Sequence, residues 1–257
     1  MATLPGSLCE DDTSINQTDL VAFSAAVGAI NYDQPPELGN EVARFTSVDL
    51  DHTLVVSERH SYKLRPDEDD LVLKDGVVGK GNAGDNNILG NTSDNLLAGL
   101  GGQDWLHGSD GNDKVKGGSG DDTVLGGSGN DRLDGGRGAD SLTGGLGNDT
   151  ITGGAGNDVM TGGKGNDVFL INETTPGSDT VKNFSKGDLL RINDRNADGD
   201  FTAGEDYNIE QVGSNALILI LDADGDVAGS VTLRGVNEDD LTIVEDPATD
   251  DGMFTIE

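Results

Sequence analysis

The chain has 257 residues, 48 acidic against 16 basic side chains for a net charge of −32, and only 33% hydrophobic and 4% aromatic residues. That much negative charge repels a phosphate backbone, which excludes nucleic acid as a partner, and it leaves an anionic membrane reachable only through bridging cations. A chain so polar cannot bury enough apolar surface to fold unaided, so something must neutralise its carboxylates if it folds at all.

The first 80 residues carry few signals. Cys9 is the single cysteine, so no intramolecular disulfide exists to report the compartment; it reads as a free thiol in a loose terminus. No apolar run approaches the ~20 residues of a membrane span. The segment "LVAFSAAVGAI", Leu20 to Ile30, follows Glu10, Asp11, Asp12 and Asp19 with no lysine or arginine before it. A secretory signal wants a basic start, so the spacing of Leu20, Phe23, Val27 and Ile30 predicts a short helix instead. "VARFTSVDLDHTLVVS" alternates as strands do, and "RPDEDD" is a charged turn. Residues 1–80 are an N-terminal region of unassigned role, either a cap on the repeats beyond Lys80 or the part that carries the protein's particular business.

From Gly81 the chain repeats in nines: GNAGDNNIL, GNTSDNLLA, GLGGQDWLH, GSDGNDKVK, GGSGDDTVL, GGSGNDRLD, GGRGADSLT, GGLGNDTIT, GGAGNDVMT and GGKGNDVFL. These ten copies reach Leu170 without insertion or deletion. Position six reads Asn86 and Asn95, then Asp104, Asp113, Asp122, Asp131, Asp140, Asp149, Asp158 and Asp167. Position eight is apolar throughout, from Ile88 to Phe169, which no flexible Gly/Ser linker would keep.

Glycine tolerates positive φ and close backbone approach, so positions one to six predict a turn that can aim carbonyl oxygens inward. Positions seven to nine predict a three-residue strand with the apolar residue facing in. One such strand buries nothing, but two facing each other do. Eighteen residues then make one turn of a flattened right-handed parallel β-roll with a thin aliphatic core, and equivalent turns stack ~4.8 Å apart. Carbonyls and carboxylates at that spacing are hard oxygen ligands suited to Ca²⁺. Zn²⁺ would want Cys or His, and His52, His60 and His107 have no ligand spacing. An ion between stacked turns would take one aspartate from each, giving the pairs Asp104/Asp122, Asp113/Asp131, Asp122/Asp140, Asp131/Asp149, Asp140/Asp158 and Asp149/Asp167. Stacking these charges with no counterion would be strongly repulsive. Asn86 and Asn95 offer only amide oxygens, so the first coil should bind weakly or not at all and their replacement should be nearly silent.

The phrase G-G-x-G-x-D-x-U-x resembles the repeats-in-toxin (RTX) calcium-binding β-roll. The match is tight over Gly117 to Leu170 and looser over Gly81 to Lys116, where copies such as GNTSDNLLA lack the inner glycine. The resemblance implies export from Gram-negative bacteria by the type I secretion machinery, with no N-terminal signal and an uncleaved C-terminal one. It also implies a roll disordered inside the cell that folds on meeting extracellular calcium.

Residues 171–257 are expected to cap the roll and carry the secretion region. "NETTPGSDTVKNFSKGDLLRI" is similar to the segment that often follows such rolls, through Gly177, Asp179, Val181, Phe184, Gly187, Asp188, Leu190 and Ile192; an open last coil needs apolar cap material. "DRNADGDFTAGE" fits the EF-hand loop pattern with Asp194, Asn196, Asp198, Gly199, Asp200 and Glu205, yet "GDLLRIN" and "YNIEQV" around it read as strands rather than helices. It is either a further Ca²⁺ site or an acidic turn. "LDADGDVAG" predicts a hairpin turn with Asp222, Asp224 and Asp226. The acidic end is compatible with a type I export signal.

No G-x-S-x-G, H-E-x-x-H or Cys/His pair in context is present, so no enzyme is expected. The leading reading is a secreted, extracellular calcium-binding protein without catalysis. The alternative is the C-terminal calcium-binding and secretion region of a larger exported enzyme (lipase, protease, epimerase) or adhesin. A small pore-forming protein lacks the necessary apolar or basic amphipathic segment. A cell-surface or matrix partner is not specified by any residue.

Overall fold

A nine-residue phrase with one apolar position buries that residue only by stacking on copies of itself, and the chain does so. The computed structural model describes residues 42–46, 53–57, 59–74, 76–171, 177–192, 207–222, 224–245 and 252–256. The helix expected over Leu20 to Ile30, Cys9, His52 and the loop Asp194 to Glu205 lie outside the described residues.

Within them the secondary structure is β apart from one 3-10 turn, Glu238–Asp240. In chain order the strands are β1 (Val42–Thr46), β2 (Thr53–Ser57), β3 (Ser61–Lys63), β4 (Asp70–Leu73), β5 (Val78–Lys80), β6 (Asn87–Leu89) and β7 (Leu96–Ala98). Then come β8 (Trp105–Asp110), β9 (Lys114–Ser119), β10 (Thr123–Ser128), β11 (Arg132–Arg137), β12 (Ser141–Leu146), β13 (Thr150–Ala155), β14 (Val159–Lys164) and β15 (Val168–Ile171). The series ends with β16 (Gly177–Lys182), β17 (Leu189–Ile192), β18 (Tyr207–Val212), β19 (Asn215–Leu221), β20 (Val227–Leu233), β21 (Leu241–Glu245) and β22 (Gly252–Ile256).

Successive strands alternate between two sheets. Sheet A runs β1-β2-β4-β6-β8-β10-β12-β14-β16-β20-β19-β18, and sheet B runs β21-β22-β17-β15-β13-β11-β9-β7-β5-β3. Between β2 and β16 in sheet A, and between β3 and β17 in sheet B, every neighbour is parallel. This is the expected all-β parallel roll. Register within the repeats is a strict eighteen, as in Val124↔Leu142 and Leu133↔Ile151. The apolar column of sheet A is Val55, Leu71, Ile88, Leu106, Val124, Leu142, Met160, Val181 and Leu233, each buried to within 1% of complete and each the register partner of the next. Sheet B answers with Leu97, Val115, Leu133, Ile151, Phe169 and Leu190. One residue deep on each side, this core is thin, and its aromatic weight sits at one end, where Phe169 meets Phe184 with ring centroids 6.0 Å apart.

Two details differ from the sequence expectation. From β8 to β14 the strands have six residues rather than three, because positions one to three of the next copy continue the ladder: Gly127 pairs with Gly145 and Ser128 with Leu146. The parallel coils also extend past the repeats at both ends. Register steps shorten to sixteen for Leu54↔Asp70 and seventeen for Leu71↔Ile88, and lengthen to twenty-one for Met160↔Val181. The predicted hairpin at Asp222 is present: β19 and β20 are antiparallel, and Asp222 Oδ1 accepts the N–H groups of Asp224 (3.1 Å) and Asp226 (3.0 Å). Antiparallel strands flank the roll on both sides, β1 on β2, β19 on β20 and β22 on β17.

Candidate metal centres along the two edges

The turns between sheets form two edges. On one, position six contributes Asn86, Asp104, Asp122, Asp140 and Asp158; on the other, Asn95, Asp113, Asp131, Asp149 and Asp167. All ten are at most 3% exposed. A buried carboxylate needs partners for both oxygens. One oxygen has them: Asp122 Oδ1 accepts the backbone N–H of Asp104 (2.8 Å), and Asp140 Oδ1 that of Asp122 (2.8 Å). The other edge repeats this from Asp131 to Asp113 and from Asp149 to Asp131. The position-six pairs expected to share ions are therefore the pairs joined by these side-chain rungs.

The second oxygen is different. Oδ2 of Asp104, Asp113, Asp122, Asp131, Asp140, Asp149 and Asp167 is buried with no hydrogen-bond donor in reach. Each lies against the first glycine of its own copy. A Cβ on Gly126 would collide with Asp131 Oδ2 and with the carbonyl oxygen of Gly144 in the following coil, so only glycine leaves this oxygen-lined space open. The inner glycines serve another purpose: Gly127 (φ 123°) and Gly129 (φ 130°) hold the turn in a conformation that L side chains rarely adopt.

The electrostatics agree with the geometry. Burial, ahead of every other influence, pushes the carboxyls of Asp104, Asp113 and Asp140 up to about 7 and those of Asp122 and Asp149 up to about 6. The backbone rung pulls each back down, while charged neighbours push it up: Asp122 acts on Asp104, Asp131 on Asp113, and Asp131 and Asp167 on Asp149. Columns of carboxylates that are desolvated, mutually repelling and short of one donor each are a donor set for cations. Among the described residues no three His, Cys, Asp or Glu side chains converge. An ion here must therefore take backbone carbonyls beside the aspartates, which suits Ca²⁺ with its many oxygen ligands and flexible geometry and fits neither Zn²⁺ nor a Cys/His site.

Of the residues expected to bind metal, Asp104, Asp113, Asp122, Asp131, Asp140, Asp149, Asp158 and Asp167 lie in these two columns; Asp194, Asn196, Asp198, Asp200 and Glu205 lie outside the described residues. Two aspartates join the columns unannounced. Asp179 Oδ1 accepts the N–H of Asp158 (3.0 Å) and Asp188 Oδ1 that of Asp167 (2.9 Å), across a step of twenty-one. They sit outside the nonapeptide register, in the cap-like motif G-x-D…G-D, which was their only signal. Asp188 Oδ2 is satisfied by the backbone N–H (2.8 Å) and hydroxyl (3.1 Å) of Ser185. A second, exposed ladder also escaped sequence reasoning. At position five the side chain accepts from the coil that follows: Asn112 Oδ1 from Asn130 N–H (2.8 Å), Asn130 from Asn148 (2.7 Å), Asn148 from Asn166 (2.8 Å) and Asp121 from Ala139 (2.8 Å). The two ladders run in opposite senses and brace each turn from both sides. Asn86 and Asn95, expected to be idle, are hydrogen-bonded within their own turns.

Four overlapping matches to the RTX calcium-binding nonapeptide repeat cover residues 80–115, 98–133, 107–142 and 134–169. Among solved structures, the chain is similar to the extracellular lipase LipA from Serratia marcescens, at 19% identity and a TM-score of 0.27, over 62% of this chain and 39% of that one. It thus spans well under half of the lipase. No curated protein matches. Among the described residues no helix is long and apolar enough to cross a membrane. Repeat, parallel roll and oxygen-lined turns lead to one identification: residues 80–169 belong to the RTX calcium-binding repeat family and form a calcium-binding β-roll.

Proposed function

We propose that the chain is a secreted protein whose roll folds when it meets extracellular Ca²⁺, with no catalysis of its own. The observation that carries this reading is the set of buried Oδ2 atoms without donors along both edges. Asp104 to Asp167 at position six are the proposed ligands. Asp122, Asp131, Asp140 and Asp149 would each face an ion above and below, and the first-glycine carbonyls would complete the shell. The loop Asp194 to Glu205 is a separate proposed site, resting on its sequence pattern alone. Bound calcium supplies the positive charge that lets these carboxylates be buried and ionised together. At free Ca²⁺ ten times its dissociation constant, six sites would add roughly 8 kcal/mol, as much as the whole stability of an ordinary domain. In the low-calcium cytoplasm the chain would then remain unfolded and fit for type I export, with residues 171–257 capping the roll outside.

Circular dichroism of the full chain tests this. Ca²⁺ at about 10⁻⁴ to 10⁻³ M should induce β structure cooperatively, and Mg²⁺ at equal concentration should not. A chain whose β signal is the same in chelator, or that Mg²⁺ folds equally well, is not a calcium-folded roll.

A further inference from the structure

The first two copies are built differently from the other eight. They alone carry asparagine at both position two (Asn82, Asn91) and position six (Asn86, Asn95). Position two is Leu100, Ser109 or glycine in every later copy, and all of these adopt positive φ, whereas Asn82 and Asn91 do not. That change of backbone turns the position-two N–H inward. Asn82 N–H donates to Asn86 Oδ1 (2.8 Å), and Asn91 N–H to Asn95 Oδ1 (2.8 Å). These amide oxygens occupy the place that Oδ2 occupies in the aspartate copies: a Cβ on Gly81 would collide with Asn86 Oδ1 and the Gly99 carbonyl, as one on Gly99 would with Asp104 Oδ2 and the Gly117 carbonyl. The position that finds no donor in Asp104, Asp113, Asp122, Asp131, Asp140, Asp149 and Asp167 is satisfied here.

The second amide completes the turn. Asn82 Nδ2 donates to the carbonyls of Arg65 (2.7 Å) and Glu68 (2.6 Å) in the preceding coil, and its Oδ1 accepts the N–H of Gly84 (2.8 Å). On the other edge Asn91 Nδ2 donates to the Gly76 carbonyl (2.6 Å), Asn95 Nδ2 reaches the same oxygen (3.4 Å), and Asn91 Oδ1 accepts the N–H of Ser93 (2.9 Å). A carboxylate column asks for a positive donor to bridge oxygens of adjacent coils. In these turns a neutral N–H does that bridging, without net charge.

We propose that the coils of residues 61–98 are held by these amide pairs instead of by ions, and form a calcium-independent seed on which the calcium-dependent coils from Asp104 onward assemble. The proposal rests on the calcium-coupled reading above for the later coils and goes beyond it for the first ones. The seed has its own core in Tyr62, Leu64, Leu71, Leu73, Ile88 and Leu97, all at most 6% exposed. Its edge presents the N–H groups of Asn86 and Asn95 as acceptor-seeking rungs, which Asp104 Oδ1 (2.8 Å) and Asp113 Oδ1 (2.7 Å) take up when the next coil docks.

Hydrogen exchange of the full chain, read by mass spectrometry in chelator and in calcium, tests it. In chelator, residues 86–98 should exchange about tenfold or more slowly than residues 104–170; calcium should then protect the latter. Asn82→Ala with Asn91→Ala should abolish the protection in chelator. Asn86→Asp with Asn95→Asp, which keeps shape and adds charge, should abolish it in chelator and let calcium restore it. Uniformly fast exchange in chelator, followed by calcium protection of 104–170, would overturn the seed and leave the calcium-coupled roll standing. Protection in chelator that neither pair of substitutions alters would overturn the role of the amides. Slow exchange of every coil in chelator would defeat the calcium-coupled reading instead, and the Asn→Asp pair would still decide whether the first coils depend on their amides.

Discussion

The coil of residues 81–98 and the coils of residues 99–170 have the same nine-residue rhythm, the same glycine at position one and the same buried aliphatic column, yet they solve the turn in opposite ways. In the first, an amide at position six is satisfied by an N–H from position two, and the strands are three residues long. In the second, a carboxylate keeps one oxygen without a donor, position two passes into positive φ, and most strands reach six residues. The two regions share the roll, and they differ in residue type at positions two and six: a pair of asparagines goes with a turn whose position-six oxygen is satisfied, and an aspartate at position six with a turn that leaves one oxygen without a donor.

The largest test of this contrast is acidity. Burial in the roll raises the carboxyls of Asp104, Asp113 and Asp140 to about 7 and those of Asp122 and Asp149 to about 6, from an ordinary 3.8. The folded state therefore holds more protons than the unfolded chain between pH ~4 and ~7, so this contribution is fully present at the acid end and is lost as pH rises through the folded values. Chelated protein should gain β signal as pH falls from 8 to 5, still above the isoelectric point of about 4.1 expected from its composition, and the calcium midpoint should rise over the same fall through proton competition. The amide coil, which has no carboxyl at position six, should respond less. A chelated chain indifferent to pH would mean that its carboxylates are not buried together.

Single aspartates come next. Asp140→Ala removes the acceptor for Asp122 N–H and a carboxylate that would face ions on both sides, an expected loss of about 3 kcal/mol in calcium. Asp104→Ala should cost less and raise the calcium midpoint less; equal shifts would count against shared ions. Smaller still, and opposite in sign, is relief of strain where the two regions meet. Leu100 (φ 87°) and Ser109 (φ 88°) hold a conformation suited to glycine, so Leu100→Gly should stabilise the roll by about 1 kcal/mol in thermal melts. Loss of stability there would show that the Leu100 side chain, though 43% exposed, contributes packing. The smallest effect concerns the exposed ladder. Ala139 offers no side-chain oxygen to the coil after it, so Ala139→Asn should add a rung worth roughly 0.5–1 kcal/mol; no gain would make the position-five ladder a passenger of the fold.

Much of this was legible in the residues. Position eight from Ile88 to Phe169 foretold the core, and eighteen-residue stacking foretold which aspartates meet, because strand alternation leaves few ways to bury one residue in nine. Strand length was misjudged because glycines at positions one and two argue against strand by propensity, while the neighbouring coil supplies ladder partners that propensity does not see. Asp179 and Asp188 were hidden by a three-residue lengthening of the coil that breaks the count without breaking the stack. Asn82 and Asn91 carry no signal in the sequence, because their donors find carbonyls of Arg65, Glu68 and Gly76, seventeen, fourteen and fifteen residues away, which no local pattern announces.

The alternation of copies between two sheets has an arithmetical consequence. Each nonapeptide pairs along its sheet only with the copies two before and two after it, so the stack accepts any number of them. Adding or removing one copy, however, turns everything beyond it by half a revolution about the roll axis, while adding two advances it by one strand spacing, ~4.8 Å, at unchanged orientation. With ten copies, β1 and β18 border the same sheet. An odd count would set them on opposite faces. The number of repeats is thus both a ruler and a dial: its size fixes the distance between the two ends of the molecule, and its parity fixes which way those ends look.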